Sequence, residues 1–237
     1  NADWKTYRQA LRGGVACSVC GIKRRVKPMN DKMILSPEMD EELSNGKGED
    51  ENGDSALAVY TAISPNCNRP RSQPISKITV HHMAGNTTLE AFGALVGKTS
   101  RQMSANYAIE SSGRIGLFCH EADRSWCSSS PWNDHRAITI EVANDSGAPD
   151  WHVSDKAYAA LLDLCTDICR RNGIKKLTYT GDKNGSLTMH CFYAATACPG
   201  PYLKSKFPDI AAQVTTRLKG DVADAAPAKT QEQTFID

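Results

Sequence analysis

The sequence predicts an α/β domain over residues 56–218, and three observations carry that reading. ISKITVHH (75–82) and AITIEVAN (137–144) alternate apolar and polar residues with the period of a half-buried strand. TTLEAFGALVGK (87–98) and VSDKAYAALLDLCTDICRRNG (153–173) repeat apolar residues at helical spacing instead. Strand and helix signals interleave along the chain, which is the mark of a mixed architecture.

Taken in order, Ile78 and Val80 fall on one face of the first strand, with Lys77, Thr79 and His81 on the other. A threonine cap then opens a helix whose stripe is Leu89, Phe92, Leu95 and Val96. NYAIESSGRIGLF (106–118) reads as two short strands around Ser-Ser-Gly. In AITIEVAN, Ile138, Ile140 and Val142 share a face, opposite Thr139, Glu141 and Ala143. The long helix starts at Ser154, buries Tyr158, Leu161, Leu162, Cys165 and Ile168, and stops at Gly173. KKLTYT (175–180) is expected to be a further strand, and FPDIAAQVTTRL (207–218) a closing helix.

Outside this domain the pattern is lost. Residues 1–55 form an extension with segregated charge, basic up to Lys27 and acidic from Glu38 to Asp54. Residues 219–237, rich in Ala, Asp, Lys and Gln, read as a linker that suggests a further lytic or wall-binding domain beyond it. The 28 basic residues balance 27 acidic ones, so no overall field draws in nucleic acid. No run approaches the roughly 18 apolar residues of a membrane span, and the amino end lacks the apolar core of a signal peptide. Nine cysteines are an odd number without framework spacing, so reduced thiols are expected. Cys17 and Cys20 form a CxxC with no second pair, although Cys67 offers a third ligand; Cys165 and Cys169 lie one helical turn apart and suit a core.

Function is read from parity and spacing. Because Ile138, Ile140 and Val142 take the core face, Glu141 points to the other face of the sheet, as His81 does. In TMHCFYAATACPG (188–200), His190 and Cys198 stand eight positions apart in a segment that Pro199 turns into a loop. Two imidazoles and a thiolate are a zinc donor set that leaves a fourth position for water, with a nearby carboxylate available as general base. Spacing alone leaves a structural pair equally open.

Four motifs narrow the choice. VHHMAG (80–85), SANYAI (104–109), AITIEVAN (137–144) and MH (189–190) followed by TACPG (196–200) resemble, in order, the zinc-dependent N-acetylmuramoyl-L-alanine amidases. This is the type 2 amidase family of phage endolysins and bacterial autolysins, related to the peptidoglycan recognition proteins. The resemblance implies a mixed central β-sheet flanked by helices, and a bacteriolytic hydrolase in which zinc-activated water cleaves the amide between N-acetylmuramic acid and L-alanine. It also implies action at the bacterial cell wall, outside the cell or after release by phage lysis, by a protein expected to be monomeric.

Carried over residue by residue, the resemblance makes His81, His190 and Cys198 the metal ligands and Glu141 the general base. It assigns Tyr107 and Thr196 as donors to the developing oxyanion. His82, which alternates away from His81, is expected to pack beside the ligand or to replace it. Trp126 and Trp132 are either core or stacking surfaces for glycan rings, and Arg136 and Asn144 either hold stem-peptide carboxylates or pair within the fold. His120, His135 and His152 lie in polar loops and are expected to be solvated. The competing reading is a peptidoglycan-binding module without activity, against which the presence of Cys198 counts. A purely structural zinc site fits poorly, because only three donors converge.

Overall fold

The computed structural model describes residue 50 and residues 52–224, so Cys17 and Cys20 lie outside the described residues. In chain order, the strands are β1 (Ala58–Thr61), β2 (Cys67–Asn68), β3 (Lys77–His82), β4 (Tyr107–Ile109), β5 (Ile115–Leu117), β6 (Arg124–Ser125), β7 (Ala137–Val142) and β8 (Leu187–Met189). The helices are α1 (Leu89–Val96), α2 (Pro131–Asp134), α3 (Asp155–Arg171) and α4 (Gly200–Asp224).

Six strands form one mixed sheet in the order β1-β5-β4-β7-β3-β8. β3 runs parallel to both β7 and β8, and β4 is parallel to β7 but antiparallel to β5. The mixed α/β architecture expected from the sequence is therefore the one observed. β2 and β6 pair separately as a two-stranded ribbon.

Each face of the large sheet has its own core. Ile78, Val80, Ile138, Ile140 and Val142 pack with Leu161, Leu164, Cys165 and Ile168 of α3 and with Leu203, Phe207, Ile210 and Val214 of α4. Burying side chains of this size stabilises the fold by about 1.5–3 kcal/mol each. On the other face, Leu89, Phe92 and Val96 of α1 cover Ala108, Phe118 and Cys127. Both faces are thus closed, and β7 is buried at every position, polar ones included.

The caps follow the sequence. Thr88 accepts the Ala91 N–H at the start of α1, and Ser154 accepts the Ala157 N–H at the start of α3. Gly173, after α3, takes φ +67°, a left-handed conformation that favours glycine. Two elements differ from expectation. KKLTYT forms no strand: Thr178 bonds to Ser186 and Leu187 across a tight loop, and the strand beside β3 is instead the later β8. The closing helix begins at Gly200 and continues through Pro208, because Leu203, Phe207, Ile210 and Val214 hold one buried stripe across the proline.

A buried polar network ties residues 53–55 to the sheet. Tyr107 Oη donates to Glu121 at 2.7 Å and accepts the Ser55 N–H at 2.8 Å. Arg171 reaches Glu121 at 2.5 Å, Asp167 at 2.9 Å and the Gly53 carbonyl at 2.9 Å. Asp54 accepts the Glu121 N–H and pairs with His120. Arg171→Met would leave the Glu121 carboxylate buried without its cation, at a cost of about 3–5 kcal/mol. A clear drop in the urea midpoint with little change in slope is the expected readout; an unchanged midpoint would contradict it.

Candidate metal centre

The site sits where β3 and β7 end. In their parallel register His81 is directly paired with Glu141, so both side chains leave the same face. β8 runs along the other side of β3 and delivers His190 at its carboxyl end, in the short 3-10 turn His190–Phe192. The chain then loops back through Cys198, whose carbonyl accepts the Cys191 N–H, before Pro199 and Gly200 open α4. Gly200 has φ +80°, and a Cβ there would lie 2.9 Å from the His82 ring, so this close return needs glycine.

The donor atoms converge. One donor atom each from His81, His190 and Cys198 lie within 4.8 Å of one another. Cys198 Sγ is 3.7 Å from His81 Nδ1. A sulfur and a nitrogen bound to one tetrahedral zinc at ordinary bond lengths would be about 3.6 Å apart, so the spacing suits an ion between them. Glu141 Oε1 stands 4.0 Å from His81 Nδ1.

Burial sets the protonation states. His81 is pushed well below the usual imidazole range by burial and then by His190 and His82, and His190 is lowered by burial. Neutral imidazoles are what a metal requires. Burial raises the Glu141 carboxyl to about 8, partly offset by the Cys127 thiol, and raises Cys198 to about 12, with Glu141 adding to the effect. His81 Nε2, His190 Nε2 and Glu141 Oε2 are buried without a hydrogen-bond partner. The unpartnered atoms of His190 and Glu141 are buried polar groups that the protein itself leaves unsatisfied.

Other sequence-predicted residues fall elsewhere. Tyr107 pairs with Ile140 and so faces the α3 and α4 core, on the opposite side of the sheet from Glu141; its hydroxyl is engaged by Glu121 and Ser55. It is not beside the converging donors. His82 also takes the opposite face from His81, edge-on to Trp151 with ring centroids 5.4 Å apart, and is not the alternative ligand. Arg136 precedes β7 and stacks on Trp132 at 4.8 Å while bonding to Gln73. Five residues of strand put it about 16 Å from Glu141, too far to share a small substrate group.

Asn144 is buried, and its amide donates to the Trp151 carbonyl at 2.7 Å, which is the structural pairing. The Trp126 indole donates to Asn68, and Trp132 is exposed. Thr196 does lie close: its hydroxyl accepts the Cys198 N–H at 3.2 Å. His120, His135 and His152 are bonded to Asp54, the Ser72 N–H and Asp145 rather than simply solvated. One residue of the centre is not foreseen from the sequence: Cys127, whose Sγ is 3.9 Å from Glu141 Oε1. Its segment, RSWCSS, has no periodicity and no ligand spacing to signal it.

Fold and site together define a class: a mixed-sheet α/β domain with an imidazole, thiol and carboxylate cluster at the carboxyl ends of parallel strands. The family profile described as N-acetylmuramoyl-L-alanine amidase matches residues 71–201, more than half of the 237-residue chain. The chain belongs to that family. Its fold is similar to that of a solved AmpD derivative, at 18% identity and a TM-score of 0.54, covering 68% of this chain and 97% of that one. It is also similar to the catalytic domain of XlyA, at 15% identity and 0.51, covering 65% and 97%, and to the E90A mutant of PlyL, at 12% identity and 0.51, covering 67% and 98%. No curated protein matches the chain in sequence. Among the described residues, no helix is long and apolar enough to cross a membrane.

Proposed function

We propose that this protein is a zinc-dependent peptidoglycan hydrolase that cuts the amide bond between N-acetylmuramic acid and the L-alanine of the stem peptide. The observation that carries the reading is the convergence of His81, His190 and Cys198, with Glu141 in register beside His81. Two imidazoles held neutral by burial and one thiol are a donor set that suits divalent zinc. When bound, zinc would polarise the lactyl carbonyl and acidify a water molecule.

The chain's own groups would do the rest. Glu141, buried and close to the donor triangle, takes the proton of the attacking water and delivers it to the departing L-alanine nitrogen. The Thr196 hydroxyl already accepts the Cys198 N–H, which leaves its own hydrogen for the oxyanion that forms on the carbonyl oxygen. Tyr107 has no part in this step, since the sheet separates it from the site. The carbonyl of Cys198 and the N–H of Cys191 fix the loop that holds the thiol, so donor geometry is set before substrate arrives. Residues 1–55 and 219–237 are assigned no role in the reaction, and the cell wall is the place of action.

Purified full-length protein should hold about one zinc per chain, and a chelator that removes it should abolish release of stem peptide from soluble muropeptides, with activity returning on zinc addition. Full activity in metal-free protein would refute the reading. Retention on peptidoglycan with no release, despite bound zinc, would instead favour a binding module.

A further inference from the structure

Cys127 makes a contact with Glu141 that the reaction above does not use. Ser125 of β6 and Thr139 of β7 bond hydroxyl to hydroxyl at 2.7 Å, and two residues further along each segment the Cys127 thiol donates to Glu141 Oε1 at 3.9 Å. The segment leaving β6 thus keeps step with β7 as far as the glutamate. It is anchored there independently. The Cys127 N–H donates to Asp134 Oδ2 at 3.2 Å, Ser128 gives both its N–H and its hydroxyl to the same carboxylate, and Asn133 Nδ2 donates to Thr79 of β3 at 2.9 Å.

The two oxygens of Glu141 are treated differently. The residue is 6% exposed, and while Oε1 receives the thiol, Oε2 is buried without a hydrogen-bond partner. The last torsion of a glutamate side chain is broad, so enclosing a carboxylate does not by itself fix the plane of its oxygens. A donor held on Oε1 sets that plane. It leaves Oε2, the oxygen without a protein donor, to take the proton of the attacking water.

We propose that Cys127 is a positioning residue for the amide hydrolysis, its thiol holding the Glu141 carboxylate in the orientation in which it works as a base. The proposal rests on the reading of Glu141 as general base given above. The thiol keeps its proton throughout, and His81, His190 and Cys198 converge without it, so the metal donors are not involved. A different role would suit the same residue: Cys127 is 8% exposed and borders the apolar cluster of Leu89, Phe92 and Phe118, where a thiol serves as a small hydrophobe. Positioning needs a donor and packing needs apolar volume, so the two roles rank substitutions in opposite orders.

The test measures kcat, KM and bound zinc on soluble muropeptides for the full-length zinc-loaded parent and for Cys127→Ser, Cys127→Val and Cys127→Ala, each alone and combined with Glu141→Gln. Valine and alanine remove the donor, and serine keeps one. Cys127→Val and Cys127→Ala should lower kcat by about 10-fold with KM and zinc content near the parent's, whereas Cys127→Ser should stay within about threefold of the parent. With Glu141→Gln there is no base to orient, so no Cys127 substitution should lower the residual kcat further. Valine and alanine bracket cysteine in size, so one of them decides the matter if the other does not fold. Parental kcat in the donor-less variants, a serine variant worse than valine, or an equal loss with and without Glu141→Gln would overturn the proposal and leave the base assignment intact. Full turnover by Glu141→Gln itself would overturn the base assignment and the proposal with it.

Discussion

Glu141→Gln is expected to retain its zinc and to lose turnover by roughly 100-fold or more, the usual scale of general acid–base assistance. The substitution keeps the shape of the side chain and removes the base. The carboxylate stands 4.0 Å from His81 Nδ1, and His81, His190 and Cys198 converge without it, so that donor set should survive. Its oxygen faces the Cys127 thiol at 3.9 Å, a donor that an amide oxygen can still accept. Metal content and muropeptide release, measured on the same preparation, give the answer. Loss of zinc would make Glu141 a ligand; unchanged turnover would remove it from the reaction.

Cys198→Ser should fail in the opposite order. A hydroxyl is a poor zinc donor, and the two histidines left behind cannot hold the ion alone. Zinc affinity should fall by more than the roughly 10–100-fold typical of groups that merely support a ligand. Activity should follow metal occupancy, recovering in part at high zinc. The fold itself should be little disturbed, because serine is close in size and the loop is still closed by the Cys191 N–H and the backbone at 198. Competition with a chromophoric chelator measures the affinity, and unaltered binding would exclude Cys198 from the donor set.

How much of this was legible depends on what kind of signal each residue carries. β3 and β7 could be read because alternation has a fixed parity: once Ile78, Val80, Ile138 and Ile140 take the core, His81 and Glu141 must share the opposite face. Their direct pairing is a matter of register between strands 60 residues apart in sequence, which alternation does not specify. Tyr107 shows the same limit in reverse. A motif placed it beside the metal, but its pairing with Ile140 turns it toward the helices, where Glu121 and Arg171 occupy its hydroxyl.

Irregular segments were the least legible. KKLTYT has strand composition, yet the ladder beside β3 is taken by Leu187–Met189, and the earlier segment is left to bond within its own loop. Cys127 lies in a loop whose geometry is set by Asp134 and Ser128, so neither periodicity nor spacing could bring it next to Glu141. Arg136 was attractive because it precedes the glutamate strand. The length of that strand is what removes it from the site.

The most direct test is digestion of purified peptidoglycan by the full-length protein, followed by mass analysis of the products with and without a chelator. Cleavage of the muramoyl–alanine amide predicts stem peptides with free L-alanine amino termini, intact glycan chains without new reducing ends, and complete loss of both products of the cut when zinc is removed. New reducing sugars, cuts within the peptide, or unchanged digestion in chelator would contradict the account.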